Sequence, residues 1–212
     1  MSNFINVQRI DIDSSCAEII EWFNNHSKLQ TNGVVAGDSG INVNKEKKDT
    51  TDITLSLNKI KCDEELSPIF LRPFQALSYC LEQYINAYSI LKDCNIMIHD
   101  DFNIQRYKTG QHFKNIHFES STFNNRKRIL VWMIYLNDVK KGGTTNFPYY
   151  NLRLHPAKSS VLIWPADFTH THFGDIVEDE KYIMTGWFNM VPPSFSDKAD
   201  NDVDDSIYYF NV

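Results

Sequence analysis

Tyr107-Lys108-Thr109-Gly110-Gln111-His112-Phe113-Lys114-Asn115-Ile116-His117-Phe118-Glu119 carries two candidate metal donors two positions apart. On an extended segment residues two apart point the same way, so His117 and Glu119 present an imidazole and a carboxylate side by side. A third donor must then come from a distant strand folded back beside them. His172, fifty-five positions after His117, is the candidate, and Lys181 follows nine positions later. Two histidines and one carboxylate hold a ferrous ion on a single face and leave the opposite coordination positions open. Alone, an H-x-E pair carries little weight, because a chain of this size contains some by chance. Its surroundings decide the matter.

Short β-rich runs at 103–107, 113–119, 129–136, 152–154, 159–164 and 182–188 surround the pair. Turn signals such as Thr109-Gly110, Asn124-Asn125, Lys141-Gly142-Gly143 and Phe173-Gly174-Asp175 separate them. The first hundred residues read differently. Asp13-Ser14-Ser15 ahead of Ile19, Ile20 and Phe23 reads as a capped helix. Phe70, Phe74, Leu77, Leu81, Tyr84, Tyr88 and Leu91 recur at helical spacing, and Pro73 suits the first turn of a long amphipathic helix over 73–92. Ile53, Leu55 and Leu57 alternate as a short strand does. The polar, glycine-bearing segment 31–51 reads as a loop, with Lys45-Glu46-Lys47-Lys48-Asp49 as a solvated face. Helices gathered in one half and strands in the other predict an α+β protein. Its expected architecture is a double-stranded β-helix (jelly roll) with supporting N-terminal helices. Within a single domain, 1–100 form helical support and loop, 101–190 the jelly-roll core, and 191–212 an acidic C-terminal tail. Residues 194–205 hold five aspartates and one lysine, and Ile207-Tyr208-Tyr209-Phe210 is expected to dock on the body.

Composition narrows the function. Across 212 residues, 42% hydrophobic and 23% charged content are near globular averages. A net charge of −6 argues against a nucleic-acid surface. The longest uncharged apolar run, 129–136, is far too short to cross a bilayer. The opening residues lack the basic-then-apolar layout of a secretion signal, so a cytoplasmic protein with free thiols is expected. Cys16, Cys62, Cys80 and Cys94 form no C-x-x-C pair, which removes the usual zinc and redox motifs.

Of the other histidines, His26, His99, His112 and His155 have no neighbouring pattern that distinguishes them from surface or hydrogen-bonded residues. His117 has one. Tyr107-x-x-Gly110, His117-x-Glu119, Tyr135-Leu136-Asn137, Gly142-Gly143-x-Thr145-x-Phe147, His172-Phe173-Gly174 and Lys181 occur in unbroken order from about 101 to 188. In this set the chain resembles the iron- and 2-oxoglutarate-dependent dioxygenases of the prolyl 4-hydroxylase-like group. Members show Y-x-x-G, H-x-D, Y-L-N, G-G-x-T-x-F and a distal histidine followed nine or ten residues on by Lys or Arg.

The resemblance implies that His117, Glu119 and His172 bind Fe(2+), which 2-oxoglutarate chelates as co-substrate. Lys181 would pair with the far carboxylate of 2-oxoglutarate, with Tyr135 adding a hydrogen bond. Thr185 and Trp187 continue the face of Lys181 along one strand, as support and wall of that pocket, and Tyr107 matches a family tyrosine near the co-substrate. The bland alternative for Lys181 is a solvated lysine after Glu178-Asp179-Glu180. Against it, Tyr182-Ile183-Met184 opens a buried strand, where an ammonium needs an anion. Tyr135 and Trp187 serve equally as aromatic core, and Gly142-Gly143 is read as a hairpin turn only.

Two features depart from the pattern or leave a choice. Glu119 stands where most relatives have Asp, which moves the donor oxygens. His170 and His172 are two positions apart; Phe173-Gly174 favours His172, and leaves His170 beside the metal site or on the substrate side. The expected activity is hydroxylation of a C–H bond, peptidyl proline leading, with release of succinate and CO2. The expected partner is a peptide or small-molecule substrate, with neither nucleic acid nor membrane. Segments 31–51 and 120–128 are candidate lids, and Arg128 is expected to anchor its strand. The alternatives are a catalytically inactive jelly-roll module that binds metal or peptide, and a zinc hydrolase, which has no use for Lys181.

Overall fold

The computed structural model describes residues 3–37 and 40–192, together with the backbone of 207–208. The acidic run at 194–205 and the Tyr209-Phe210 pair lie outside the described residues. The N-terminal half comprises β1 (Asn6–Arg9), α1 (Asp13–Asn25), β2 (Thr31–Asn32), β3 (Val35–Gly37), β4 (Gly40–Asn42), β5 (Thr51–Ser56), α2 (Leu57–Cys62) and α3 (Leu66–Ala87). Strands then dominate: β6 (Ile96–His99), β7 (Asp101–Tyr107), β8 (Phe113–His117), β9 (Arg128–Tyr135), β10 (Thr145–Phe147) and β11 (Leu152–Leu154). After these come β12 (Ser160–Pro165), β13 (His172–Gly174), β14 (Lys181–Met190) and β15 (Ile207–Tyr208), the last paired with β6.

Two sheets face each other as a jelly roll. The major sheet runs β1-β12-β9-β14-β7-β5-β2, with β6 beside β14; the minor sheet runs β11-β10-β13-β8. Parity along the major strands separates two cores, because alternate residues face opposite sides. Ile53 and Leu55, Phe102 and Ile104, Trp132 and Ile134, and Tyr182 and Met184 face the helices. There they meet Ile19 and Phe23 of α1 and Phe70, Phe74 and Leu77 of α3. Their odd or even partners Tyr107, Val131, Met133, Tyr135, Leu162, Trp164 and Ile183 face the minor sheet. Polar side chains on the major sheet's inner face therefore point into the space between the sheets.

Several local expectations need correction. α1 begins at Asp13 without a side-chain cap, so Asp13 and the serines lie in its first turn. α3 starts at Leu66 and ends at Ala87, which places Pro73 inside the helix. The segment 31–51 is not one loop: β2 pairs with β5, and β3 and β4 form a hairpin. Short strands of two or three residues leave too few alternations to be read from sequence. No described helix is long and apolar enough to cross a membrane, and all four cysteines are free.

Candidate metal centre and its cavity

His117 ends β8, His172 opens β13, and the two strands pair so that these residues lie directly opposite. Their ring centroids are 4.4 Å apart. Glu119 lies beyond the end of β8, in a turn whose backbone N–H donates to Ala166 O. The strand argument for H-x-E thus holds for His117 alone, and it is the turn that returns the carboxylate. Glu119 Oε1 is 3.4 Å from His117 Nε2 and 3.6 Å from His172 Nε2. The three candidate donor atoms lie within 4.8 Å of one another, the single such group of His, Cys, Asp or Glu among the described residues.

Tautomers follow from the second ring nitrogens. His117 Nδ1 is 2.7 Å from Asn115 O and His172 Nδ1 is 2.9 Å from His170 O. A carbonyl only accepts, so each Nδ1 carries the proton and each Nε2 offers its lone pair to the centre. Burial, then the neighbouring His117, pushes the His172 pKa down, which favours the neutral form. Burial by itself would raise the Glu119 carboxyl. Positive charge on the Nε2 side, carried by a proton on His117 or His172, outweighs burial and holds Glu119 well below the usual carboxylate range; a divalent metal bound by the two lone pairs would supply that charge instead. Neutral imidazoles and an ionised carboxylate are the states a divalent metal requires.

The outer oxygen, Glu119 Oε2, accepts from Trp187 Nε1 at 2.9 Å and from Arg128 Nη1 at 3.5 Å. Trp187 thus touches the candidate ligand itself, beyond lining the cavity. Arg128 is directed to the same carboxylate and does more than anchor its strand.

Behind the triad, a cavity of about 440 Å³ opens between the sheets, and Lys181, Tyr107, Thr185 and Trp187 line it. Lys181 is 3% exposed and donates to Gly143 O at 2.7 Å. Its Nζ lies 5.2 Å and 5.4 Å from the ring centres of Tyr107 and Tyr135. Burial pushes its pKa down to about 7, offset only in part by the charge of Asp175. Gly142 and Gly143 both have positive φ, at 71° and 66°, which glycine adopts without a Cβ penalty. Sequence reading assigned that pair no chemistry, yet it delivers the carbonyl that holds the lysine.

The hydroxyls near Lys181 are already engaged. Tyr135 OH donates to Thr145 Oγ1 at 2.7 Å, Tyr107 OH to Gln105 Oε1 at 2.9 Å, and Thr185 Oγ1 to Trp132 O at 2.8 Å. Gln105 in turn donates to Asp52, which pairs with Lys48 at 2.7 Å. Lys48 is 5% exposed, so that member of the expected solvated run is part of the cavity wall. Alternation along β5 and β7 would have placed Asp52 and Gln105 on the inner face; the pairing with Lys48 had no sequence signal. His170 turns its ring away, with Nε2 against Asn3 O, and reaches the centre only through its own carbonyl. His112 is buried beside Asp49 rather than in the triad. Both candidate lids reach the cavity, through Val34 and Ile41 on one side and Phe123 on the other.

Residues 102–189 match the family model described as the 2OG-Fe(II) oxygenase superfamily. The chain is 28% identical over 118 residues to a probable prolyl 4-hydroxylase 9 of Arabidopsis thaliana. That match spans 42% of this chain and 40% of the relative's own length. A Trichoplax adhaerens prolyl hydroxylase, solved with a peptide fragment of the hypoxia inducible factor oxygen degradation domain, superimposes with a TM-score of 0.67 at 17% identity, over 89% of this chain and 84% of that one. A Pseudomonas putida prolyl-4-hydroxylase gives 0.63 at 14%, over 89% and 94%. The collagen prolyl hydroxylase of Paramecium Bursaria Chlorella virus-1 gives 0.58 at 16%, over 89% and 97%. At these identities the structures show the shared jelly-roll fold.

Proposed function

We propose that this chain, whose residues 102–189 match the model of the 2OG-Fe(II) oxygenase superfamily, is an Fe(II)- and 2-oxoglutarate-dependent dioxygenase that hydroxylates a C–H bond, with peptidyl proline as the leading substrate. The observation that carries the reading is the convergence of His117, Glu119 and His172 on the wall of a cavity that the buried Lys181 also lines.

The donor set fits ferrous iron: two imidazole lone pairs and one carboxylate oxygen, on one side of a common centre. The chemistry supplied by bound ferrous iron is activation of dioxygen, with 2-oxoglutarate furnishing two electrons as it becomes succinate and CO2. The remaining steps belong to the protein. Lys181 receives the distal carboxylate of 2-oxoglutarate, an anion that restores the charge balance burial disturbs. Tyr107 and Tyr135 flank that ammonium with their rings and offer hydroxyl lone pairs rather than free protons. Thr185 and Trp187 wall the same pocket. The hairpin of β3 and β4 and the segment around Phe123 border the mouth, where an extended peptide would lie. A peptide is favoured over a free amino acid because a structural neighbour at TM-score 0.67 was solved with one.

Ferrous iron and 2-oxoglutarate are added anaerobically and the visible charge-transfer band is recorded; dioxygen and a panel of proline-containing peptides follow, with succinate measured. Band and peptide-stimulated succinate are expected. A band without succinate would favour an inactive binding module, the reading to which glutamate in place of aspartate lends weight. Absence of the band, together with zinc-supported hydrolysis, would favour a hydrolase.

A further inference from the structure

Glutamate has one more rotatable bond than aspartate, so a glutamate ligand needs additional restraint to present its oxygen in a fixed place. We infer that Arg128 and Trp187 form a built clamp that supplies this restraint, making them positioning residues for Glu119; the inference rests on the metal-centre reading above.

Three observations converge. Trp187 Nε1 and Arg128 Nη1 both donate to Oε2, the oxygen that faces away from the histidines, while Oε1 faces His117 and His172. Arg128 also reaches the backbone carbonyl of Glu119, at 3.3 Å. Its guanidinium lies 3.5 Å from the Trp187 ring centre, so the two clamp members stack on each other. A backbone irregularity aims the arginine. Along β14 the register advances one residue, from Phe188 to Asn189, while along β9 it advances two, from Leu130 to Arg128. Ile129 is the extra residue, and it packs with the helix-side core. In regular alternation Arg128 would share the helix side with Leu130 and Trp132; the bulge turns it onto Trp187 and Glu119 instead. An unpaired arginine directed among the helices would be costly there, so the bulge and the clamp belong together. With Oε2 held, Glu119 has Oε1 to offer the metal, and the extra methylene that separates it from aspartate is accommodated by the reach to Trp187.

The test is cobalt(II) binding to the whole chain, followed by its d–d absorption and titrated to a dissociation constant. Trp187→Phe and Arg128→Met should each weaken cobalt(II) binding by about 10-fold or more, while circular dichroism of the metal-free protein stays that of the wild type. Glu119→Asp, though it restores the carboxylate commoner in the family, should also weaken binding, because the shorter side chain cannot reach both the histidines and Trp187. In that background Trp187→Phe should cost less than about 2-fold, since the contact is already lost. Wild-type affinity in both Trp187→Phe and Arg128→Met would overturn the clamp. So would an undiminished Trp187→Phe penalty in the Glu119→Asp background. If the wild type holds cobalt(II) no better than His172→Ala, the metal centre itself is wrong and the clamp falls with it.

Discussion

Two lysines in one cavity wall show how much a partner decides. Lys48 and Lys181 are both nearly inaccessible, at 5% and 3% exposure. Lys48 has Asp52 at 2.7 Å, whereas among the described residues Lys181 hydrogen-bonds to a carbonyl and has the charge of Asp175 as a partial offset. Replacing Lys48 by Met leaves a buried carboxylate without its cation and should cost about 3–5 kcal/mol, read as a lower urea midpoint. Lys181→Met removes an ammonium that burial disfavours and should stabilise the ligand-free protein on the order of a few kcal/mol at neutral pH. The sign follows from proton counts. Between pH about 7 and the ordinary value of 10.5, the folded chain holds fewer protons at Lys181 than the unfolded chain. Stability therefore rises with pH through that window, and the penalty is complete below it. The Lys181→Met advantage should shrink from pH 7 to pH 10. Binding of 2-oxoglutarate should show the opposite trend in the wild type, weakening toward about 10-fold per pH unit above 7 as proton uptake becomes obligatory. Calorimetric titration at several pH values checks this; a flat profile would remove Lys181 from the co-substrate pocket.

At the scale of elements, β14 carries both faces of the molecule. Its odd positions, Lys181 through Trp187, line the cavity, while Tyr182, Met184 and Phe188 join the helix-side core. Gly186 shares that second face by parity, and it is a glycine because Trp132 occupies the space a side chain would need. A Cβ there would sit 2.6 Å from Trp132 Cζ2 and 2.8 Å from its Cε2. The indole is fully buried and cannot swing aside. Gly186→Ala should therefore destabilise by about 1–3 kcal/mol through overpacking, seen as a lower denaturation midpoint. Since the strain enters on the face opposite the triad, cobalt(II) affinity at low temperature should stay near wild type. A midpoint equal to wild type would mean that β14 and β9 separate more readily than their register implies.

Over the whole molecule, one layer of aromatic rings joins the helices to the sheet. Trp132 lies 6.0 Å from Phe74 of α3 and 6.1 Å from Phe102 of β7, ring centre to ring centre. Trp132→Ala should cost about 3–5 kcal/mol, which for a chain of this length lowers the thermal midpoint by roughly 2–4 °C per kcal/mol. A shift of only a degree or two would show that the helices contribute little to holding the jelly roll closed.

Periodicity and residue type determined much of this protein before any tertiary contact is considered. The apolar runs at 129–136 and 182–188 and the helical stripe from Phe70 to Leu91 were legible because a strand buried on both faces is apolar throughout, while a helix that buries one face repeats with a period of 3.6. His117, Glu119, His172 and Lys181 were legible because few residue types bind a metal or a carboxylate, and their order along the chain is distinctive. Everything that depends on which strand lies beside which was left to the tertiary structure. The partner of Lys48, the carbonyl of Gly143 on Lys181 and the turning away of His170 arise from contacts between segments far apart in the chain. The grip of Arg128 and Trp187 on Glu119 arises from a one-residue bulge. A local pattern encodes which face a residue takes; only the folded register decides what stands opposite it.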